Sequence, residues 1–477
     1  MSCTSVAPGL DAVGKARYVT DHLPSLWRVP DGAEAGVAWR VTPEPFPLAP
    51  KTAAAIETLG NDLLAFYRAL NSLYLRSARG TAPAFIAEEL DRGKPEQIVK
   101  LARQNRFKQE VPRVIRPDLI LTDDGYVASE LDSVPGGMGF TGALARTYCE
   151  IGSDSVGGPD GMAQRFAEMI ASVAGAEHPT VGIVVSQESN DYRNELIWLA
   201  DRVNALGTAE AIVCWPQDVV FTEEALFVRQ EDGRETKLDV LYRNFELFDL
   251  LNVPKQELML YAARHNRVKM SPPPKAHMEE KSSFALFHHP GLRALWRAEL
   301  GEHVDERLLG IFPRTWIVDP RPIPPQAAVV DLTAAGIPVH DWSQLEDLGK
   351  SERDYVLKPS GFSELAWGSR GVKVANDLTK DAWRDAIQEA LGSFDRTPYI
   401  LQRFHKGRRV RVPFLSNSTG EIKEMDGRVR LCPYYFVVGD ETRLGGILAT
   451  VAPADKRLIH GMSDAIMASC RIADDGF

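Results

Sequence analysis

Arg116, Asp118, Glu130 and Asp132 fall at alternate positions of two largely apolar runs inside the stretch from Pro112 to Gly142, PRVIRPDLILTDDGYVASELDSVPGGMGFTG. The runs read as strands, and Asp123-Asp124-Gly125 between them reads as a hairpin turn in which Gly125 is free to take positive φ. A three-residue loop sets Thr122 opposite Tyr126, Asp118 opposite Glu130 and Arg116 opposite Asp132. Side chains two apart on a strand share a face, so all four project together. Three carboxylates on one face repel unless a cation sits between them. A hard cation such as Mg²⁺ takes oxygen ligands, commonly one or two carboxylates plus substrate phosphate oxygens. Arg116 beside them suits a phosphate, which a guanidinium grips through two parallel hydrogen bonds. The competing reading is a solvated hairpin with ordinary surface charges.

The residues that follow favour an anion. Ser133-Val-Pro-Gly-Gly-Met-Gly-Phe-Thr-Gly142 places four glycines in seven positions, from Gly136 to Gly142. Backbone N–H groups approach an anion closely there, and from Ala143 the chain reads as a helix whose N-terminus faces the same place. A second region lies far downstream. Asp354-Tyr-Val-Leu-Lys-Pro359 is a strand that carries Lys358 into the loop SGFSELAWGSRG, residues 360–371. Lys358 would give a phosphate its point charge, and the loop would give it N–H donors. The spacing is not that of a Walker A loop, and a hairpin with a flexible tip is the alternative. His288-His289 is a weak metal pair, because adjacent helical residues point to different faces.

The elements around these motifs follow from periodicity. Residues 1–50, rich in Pro and Trp (Pro24, Trp27, Pro30, Trp39), read as an irregular arm. Ile56, Leu59, Leu63, Phe66, Tyr67, Leu70 and Tyr74 make the apolar stripe of a long helix opening at Pro50. Val181–185, a helix from Asp191 to Leu206 and a strand from Ala211 to Trp215 form a βαβ unit without GxGxxG, hence a small doubly wound subdomain and no dinucleotide site. Asp239–Arg243 is a further strand, with Arg243 pairing Glu246 or Asp249. Ser271-Pro-Pro-Pro274 is a rigid linker, residues 277–300 are helical, and Gly445-Gly446 marks a turn. The expected division is 1–175, 176–270 and 271–477.

With 477 residues the chain exceeds one ordinary core. A net charge of −10 opposes non-specific nucleic-acid binding. No apolar run reaches the ~20 residues of a membrane helix, and the N-terminus lacks a signal-peptide pattern. The five cysteines, Cys3, Cys149, Cys214, Cys432 and Cys470, form no CxxC pair, which fits a reducing, cytoplasmic setting.

Together these pieces resemble the ATP-grasp superfamily, in the circularly permuted branch that includes glutathionylspermidine synthase-like ligases. The order is the permuted one: Arg116-Pro-Asp118 and Glu130-Leu-Asp132 come early, whereas Lys358, its loop and the YILQRF strand come late. Asp132 stands where the family pattern has Asn. The resemblance covers most of residues 110–450 and implies an α/β (α+β) ATP-grasp-like fold with a small Rossmann-like subdomain. It implies Mg²⁺ held by Asp118, Glu130 and Asp132, with Arg116 on the γ-phosphate and on the acyl phosphate formed from it. ATP would lie against Lys358 under the loop containing Gly361, Ser363, Gly368, Ser369 and Gly371. Gln402, Arg403 and Phe404 would form the adenine hinge, and Lys281 fits a second phosphate lysine. The loop with Ser133, Gly136 and Gly137 would hold the acyl phosphate. The implied activity is ATP-dependent amide-bond formation between a carboxylate and an amine, without an amidase domain. The rival expectations are a small-molecule kinase and an inactive binding protein.

Overall fold

The computed structural model describes residues 6–7, 9–26, 39–324, 326–366, 368, 370–460 and 464–473. Its largest sheet has seven strands drawn from both ends of the chain. The path runs Phe46–Leu48, Ile466–Ile472, Glu441–Pro453, Ile422–Val438, Val114–Thr122 and Gly125–Asp132, with Arg409–Leu415 alongside part of Ile422–Val438. Only the contact of Phe46–Leu48 with Ile466–Ile472 is parallel. The helix Pro50–Ala78 buries Ile56, Leu59, Leu63, Phe66, Tyr67, Leu70 and Tyr74, the stripe its sequence predicts. The helices Met138–Glu150 and Gly161–Ala174 also pack on this sheet.

A second sheet is all parallel, in the order Lys269–Ser271, Val240–Asn244, Thr180–Val185, Glu210–Cys214. The helix Arg193–Leu206 makes the crossover between the last two. The chain leaves Thr180–Val185 to one side and returns to its other side, so a switch point lies between it and Val240–Asn244. Ligands bind outside the C-terminal ends of strands at such a point. The third sheet, Thr315–Val318, Tyr399–Arg403, Tyr355–Pro359 and Lys373–Val374, is antiparallel. The helix Lys380–Gly392 packs Trp383, Ala386 and Ile387 into the core beside it.

Four expectations are corrected. The N-terminal arm is not wholly irregular, because Ala12–Leu26 is helical; Trp27 and Pro30 lie outside the described residues. Residues 277–300 are not one helix: Ser282–His288 and Arg293–Leu300 are separated at Pro290, which holds His289 in an extended conformation (φ −66°, ψ 122°). Gly445-Gly446 is no turn. Both residues sit inside Glu441–Pro453, where the register shifts at Tyr434/Tyr435 and leaves Gly445 unopposed as a bulge. Arg243 pairs with neither Glu246 nor Asp249 but with Glu279, at 2.6 Å. Among the described residues no helix is long and apolar enough to cross a membrane.

Candidate functional site

The acidic hairpin reaches its expected register by an unexpected route. Thr122 pairs with Gly125 and Leu121 with Tyr126, so the turn is the two residues Asp123-Asp124. A bulge then shifts the register: Leu119 faces Ala128, Asp118 faces Glu130, and Ser129 is left unopposed. Arg116 faces Asp132. The bulge frees the Ser129 carbonyl from the ladder, and it accepts a hydrogen bond from Lys358 Nζ at 2.8 Å. The Ser129 hydroxyl donates to the Asp118 carbonyl at 3.1 Å.

The three carboxylates do converge, and the chain itself supplies the cations between them. Arg116 Nη2 lies 3.2 Å from Asp118 Oδ1 and 3.0 Å from Asp132 Oδ2. Arg430 Nη1 lies 2.9 Å from Asp118 Oδ2. Lys281 Nζ lies 2.9 Å from Glu130 Oε1. Burial opposes the charge on Asp118, but Arg430 and Arg116 outweigh it and hold its pKa below the usual range. Burial raises Asp132 despite Arg116 and the Val134 N–H (2.8 Å). For Lys281, burial is outweighed by Glu130, which keeps it charged. Among the described residues no group of three or more Asp, Glu, His or Cys is arranged as a metal cluster. His288 instead faces the Phe312 carbonyl at 3.1 Å.

Lys358 is buried, and burial pushes its pKa down to about 8. Its ammonium donates to Gln402 Oε1 at 3.0 Å, and Gln402 Nε2 donates in turn to Thr315 Oγ1 at 3.2 Å. The Gln402 side chain therefore orients the lysine, and Gln402, Arg403 and Phe404 together line one cavity with it. The Arg403 and Phe404 N–H groups are also engaged, by the carbonyls of Arg314 (2.8 Å) and Asp354 (2.9 Å). In the loop of residues 360–371, Gly361 and Gly368 line the same cavity as the hairpin. Gly361 runs so close to the Glu279 backbone that a Cβ would overlap it. Ser363 and Gly371 are tied into the loop's own turns, through Ser363 N–H to the Gly361 carbonyl (2.9 Å) and Gly371 N–H to the Leu365 carbonyl (2.8 Å). Ser369 lies outside the described residues.

The helix expected from Ala143 begins at Met138, and its N-terminal end already holds an anion of the protein's own. Glu195, from the neighbouring helix, accepts from Gly137 N–H at 2.5 Å and Phe140 N–H at 2.9 Å. Burial pushes its pKa up to about 7. The Gly136 carbonyl accepts from Tyr434 OH (2.8 Å) and Arg116 Nη1 (3.3 Å). Ser133 lines the cavity, whereas the Gly136 carbonyl and the Gly137 N–H are spent on holding Arg116 and Glu195.

The cavity has a volume of about 300 Å³. Its far wall, which no sequence motif marked, carries Glu246, Glu279 and Tyr192. Glu246 and Tyr192 follow the two strands at the switch point of the parallel sheet. Burial, then Glu279 and Asp132, raise the Glu246 pKa far above its ordinary value. Further along the same face of the hairpin, toward its turn, a slot of about 80 Å³ is lined by Lys358, Ile120, Val127, Val356, Val374 and Phe404. The two cavities share Asp118, Glu130 and Arg430.

The fold has a likeness among solved structures. A glutathione synthetase-like effector from Globodera pallida, solved in apo form, aligns over 98% of this chain and 98% of its own at 12% identity, with a TM-score of 0.59. The fold is glutathione synthetase-like. A candidate γ-glutamylcysteine synthetase from Methylobacillus flagellatus KT aligns over 80% of this chain and 85% of its own at 10% identity, with a TM-score of 0.40. No family model and no curated protein matches the sequence.

In this fold the hairpin meets the antiparallel sheet through the Lys358 ammonium on the Ser129 carbonyl. Sequence reasoning missed Arg430, Glu246 and Glu279. Arg430 had a signal: it is the one charged residue between Val429 and Val438 of its strand, a buried run in which a charge needs a partner. Glu246 and Glu279 had none, because each reaches the cavity from a loop.

Proposed function

We propose that the chain is an ATP-dependent carboxylate–amine ligase of the circularly permuted ATP-grasp type, working through an acyl phosphate and releasing ADP and phosphate. One observation carries the reading: a lysine-bearing, apolar slot and a charged cavity meet at Asp118, Glu130 and Arg430. A nucleotide base placed in the slot would direct its phosphates past Lys358 to Arg116, Arg430 and Lys281. The 80 Å³ slot is far smaller than the several hundred Å³ of a ligand pocket, so the lobes part to admit the base.

The chemistry follows from that placement. A substrate carboxylate oxygen attacks the γ-phosphorus while the bond to the ADP oxygen breaks. The amine nitrogen then attacks the acyl carbon, phosphate leaves, and the nitrogen loses a proton. Arg116, held by Asp118, Asp132 and the Gly136 carbonyl, is positioned to bear the charge that develops on the transferred group. The wall of Asp132, Glu246 and Glu279 suits a co-substrate bearing an ammonium group. The oxygens of Asp118, Glu130 and Asp132 fit a hard cation by their chemistry. Magnesium bound there would supply charge neutralisation between the nucleotide phosphates.

A second reading, an inert nucleotide-binding scaffold, is favoured by the engagement of all three carboxylates with cations of the chain. Calorimetric titration of ATP with and without Mg²⁺ into the wild type and Glu130→Gln separates the two. Magnesium-dependent binding that the variant loses, followed by ADP release that requires both an acid and an amine, is the expected result. ADP release without an amine requirement marks a kinase instead, and absence of ATP binding by the wild type withdraws the ligase reading.

A further inference from the structure

Three consecutive residues after the parallel sheet each fasten a different part of the site. Glu279 accepts from Arg243 (2.6 Å) and from Leu247 N–H (2.9 Å), tying it to the doubly wound subdomain. Glu280 is buried against Lys94 and the Ser360 hydroxyl, and accepts from Phe362 N–H at 3.2 Å, which pins the root of the 360–371 loop. Lys281 reaches Glu130 (2.9 Å) and donates to the Ala366 carbonyl within that loop (3.0 Å). Its backbone is therefore anchored by its two predecessors, while its side chain bridges hairpin and loop.

Of the three hairpin carboxylates, Asp118 and Asp132 face arginines, and the Arg116 guanidinium is shared between the two. Arg116 also donates to the Gly136 carbonyl. Among the described residues, Glu130 alone of the three has a lysine as its ion-pair partner, a compact charge on a flexible four-carbon stem. A divalent ion on Glu130 would meet that ammonium at close range, where like charges repel strongly in a buried site. Nucleotide phosphates change the balance by offering Lys281 another anion.

We propose that Lys281 is a displaceable counter-cation: it occupies the metal's place on Glu130, makes metal binding conditional on nucleotide, and drops the Ala366 carbonyl when it moves. This rests on the nucleotide–magnesium reading above. Binding of metal and nucleotide is then cooperative, and the loop is released by the same side chain that vacates Glu130.

Manganese(II) is the probe, followed by the loss of the free-ion electron paramagnetic resonance signal, with ADP as the nucleotide. Wild type is expected to bind manganese only with ADP present. Lys281→Met is expected to bind it without ADP at least about tenfold more tightly than wild type does. Adding Glu130→Gln to that variant removes the gain, and Lys281→Arg, which keeps the charge, behaves as wild type. Hydrogen exchange across residues 360–371 is expected to rise in Lys281→Met without any ligand. ADP-dependent manganese binding by the wild type with no gain in Lys281→Met overturns the exchange of cations and leaves the ligase reading standing. No manganese binding by the wild type at any ADP concentration overturns both. Unchanged exchange in the loop overturns its release by Lys281.

Discussion

Binding of a nucleotide should take up a proton, and the donor geometry says how much and at which pH. Lys358 is held by two neutral acceptors, the Ser129 carbonyl and Gln402 Oε1, with no carboxylate in contact. Burial pushes its pKa down to about 8; Lys281 also lowers it, while Glu130 and Asp118 raise it. A phosphate in contact favours the charged form. If it restores the ordinary lysine value of about 10.4, the coupling is worth about 3 kcal/mol at 1.36 kcal/mol per pKa unit. The free lysine is then about three-quarters neutral at pH 8.5 and about one-tenth neutral at pH 7, so binding takes up about 0.75 and about 0.1 proton respectively. Affinity weakens as pH rises above 8, approaching about tenfold per unit, because the bound form carries a proton that the free form has lost.

The assay is ATP titration by calorimetry in two buffers of different ionisation enthalpy, at pH 7 and pH 8.5. The difference in apparent enthalpy, divided by the difference in buffer ionisation enthalpy, gives the protons transferred. Lys281 does not obscure the result, because its pKa is raised and it stays charged throughout. Glu195, with a pKa of about 7, is almost fully ionised at pH 8.5. Lys358→Met should bind ATP more weakly and abolish the uptake at pH 8.5. Equal enthalpies in the two buffers at pH 8.5, or the same uptake by Lys358→Met, would refute the placement of the phosphates on Lys358.

Two further outcomes are expected. Lys94→Met leaves the buried Glu280 carboxylate without its cation and should cost about 3–5 kcal/mol in urea denaturation, as for other buried pairs broken on one side; a loss under about 1 kcal/mol would contradict the anchoring role given to this pair. Limited proteolysis within residues 360–371 should change when Mg·ATP is added, since the loop covers the proposed phosphate site; identical cutting with and without nucleotide would remove its role as a lid.

The sequence announced the hairpin because two signals agreed there: charges at alternate positions of apolar runs, and a turn between them. The pairing of Asp118 with Glu130 came from assuming a three-residue loop. The structure has a two-residue turn, and the Ser129 bulge moves the register back by one. Bulges leave no composition signal, yet this one aims the Ser129 carbonyl at Lys358, so the local irregularity is what connects the two motifs. The late lysine strand and its loop were equally legible, as was the βαβ unit, because each is a short-range pattern.

What periodicity could not supply was the answer to the repulsion it revealed. Three carboxylates on one face demanded positive charge, and a divalent ion was the economical inference from residues 112–142 alone. The side-chain charge in the structure comes from Arg116 within the hairpin, Lys281 at the start of the helix Ser282–His288 and Arg430 in a strand more than three hundred residues away. Electrostatic balance is a property of the assembled site, and a sequence reveals only the half of it that lies in one stretch. The consequence is chemical. A site already neutralised by its own side chains binds a metal only when an incoming anion draws one of those side chains away. In the proposed reading the nucleotide phosphates are such an anion, and Lys281, a single charge on a flexible stem, is the cation best able to follow them.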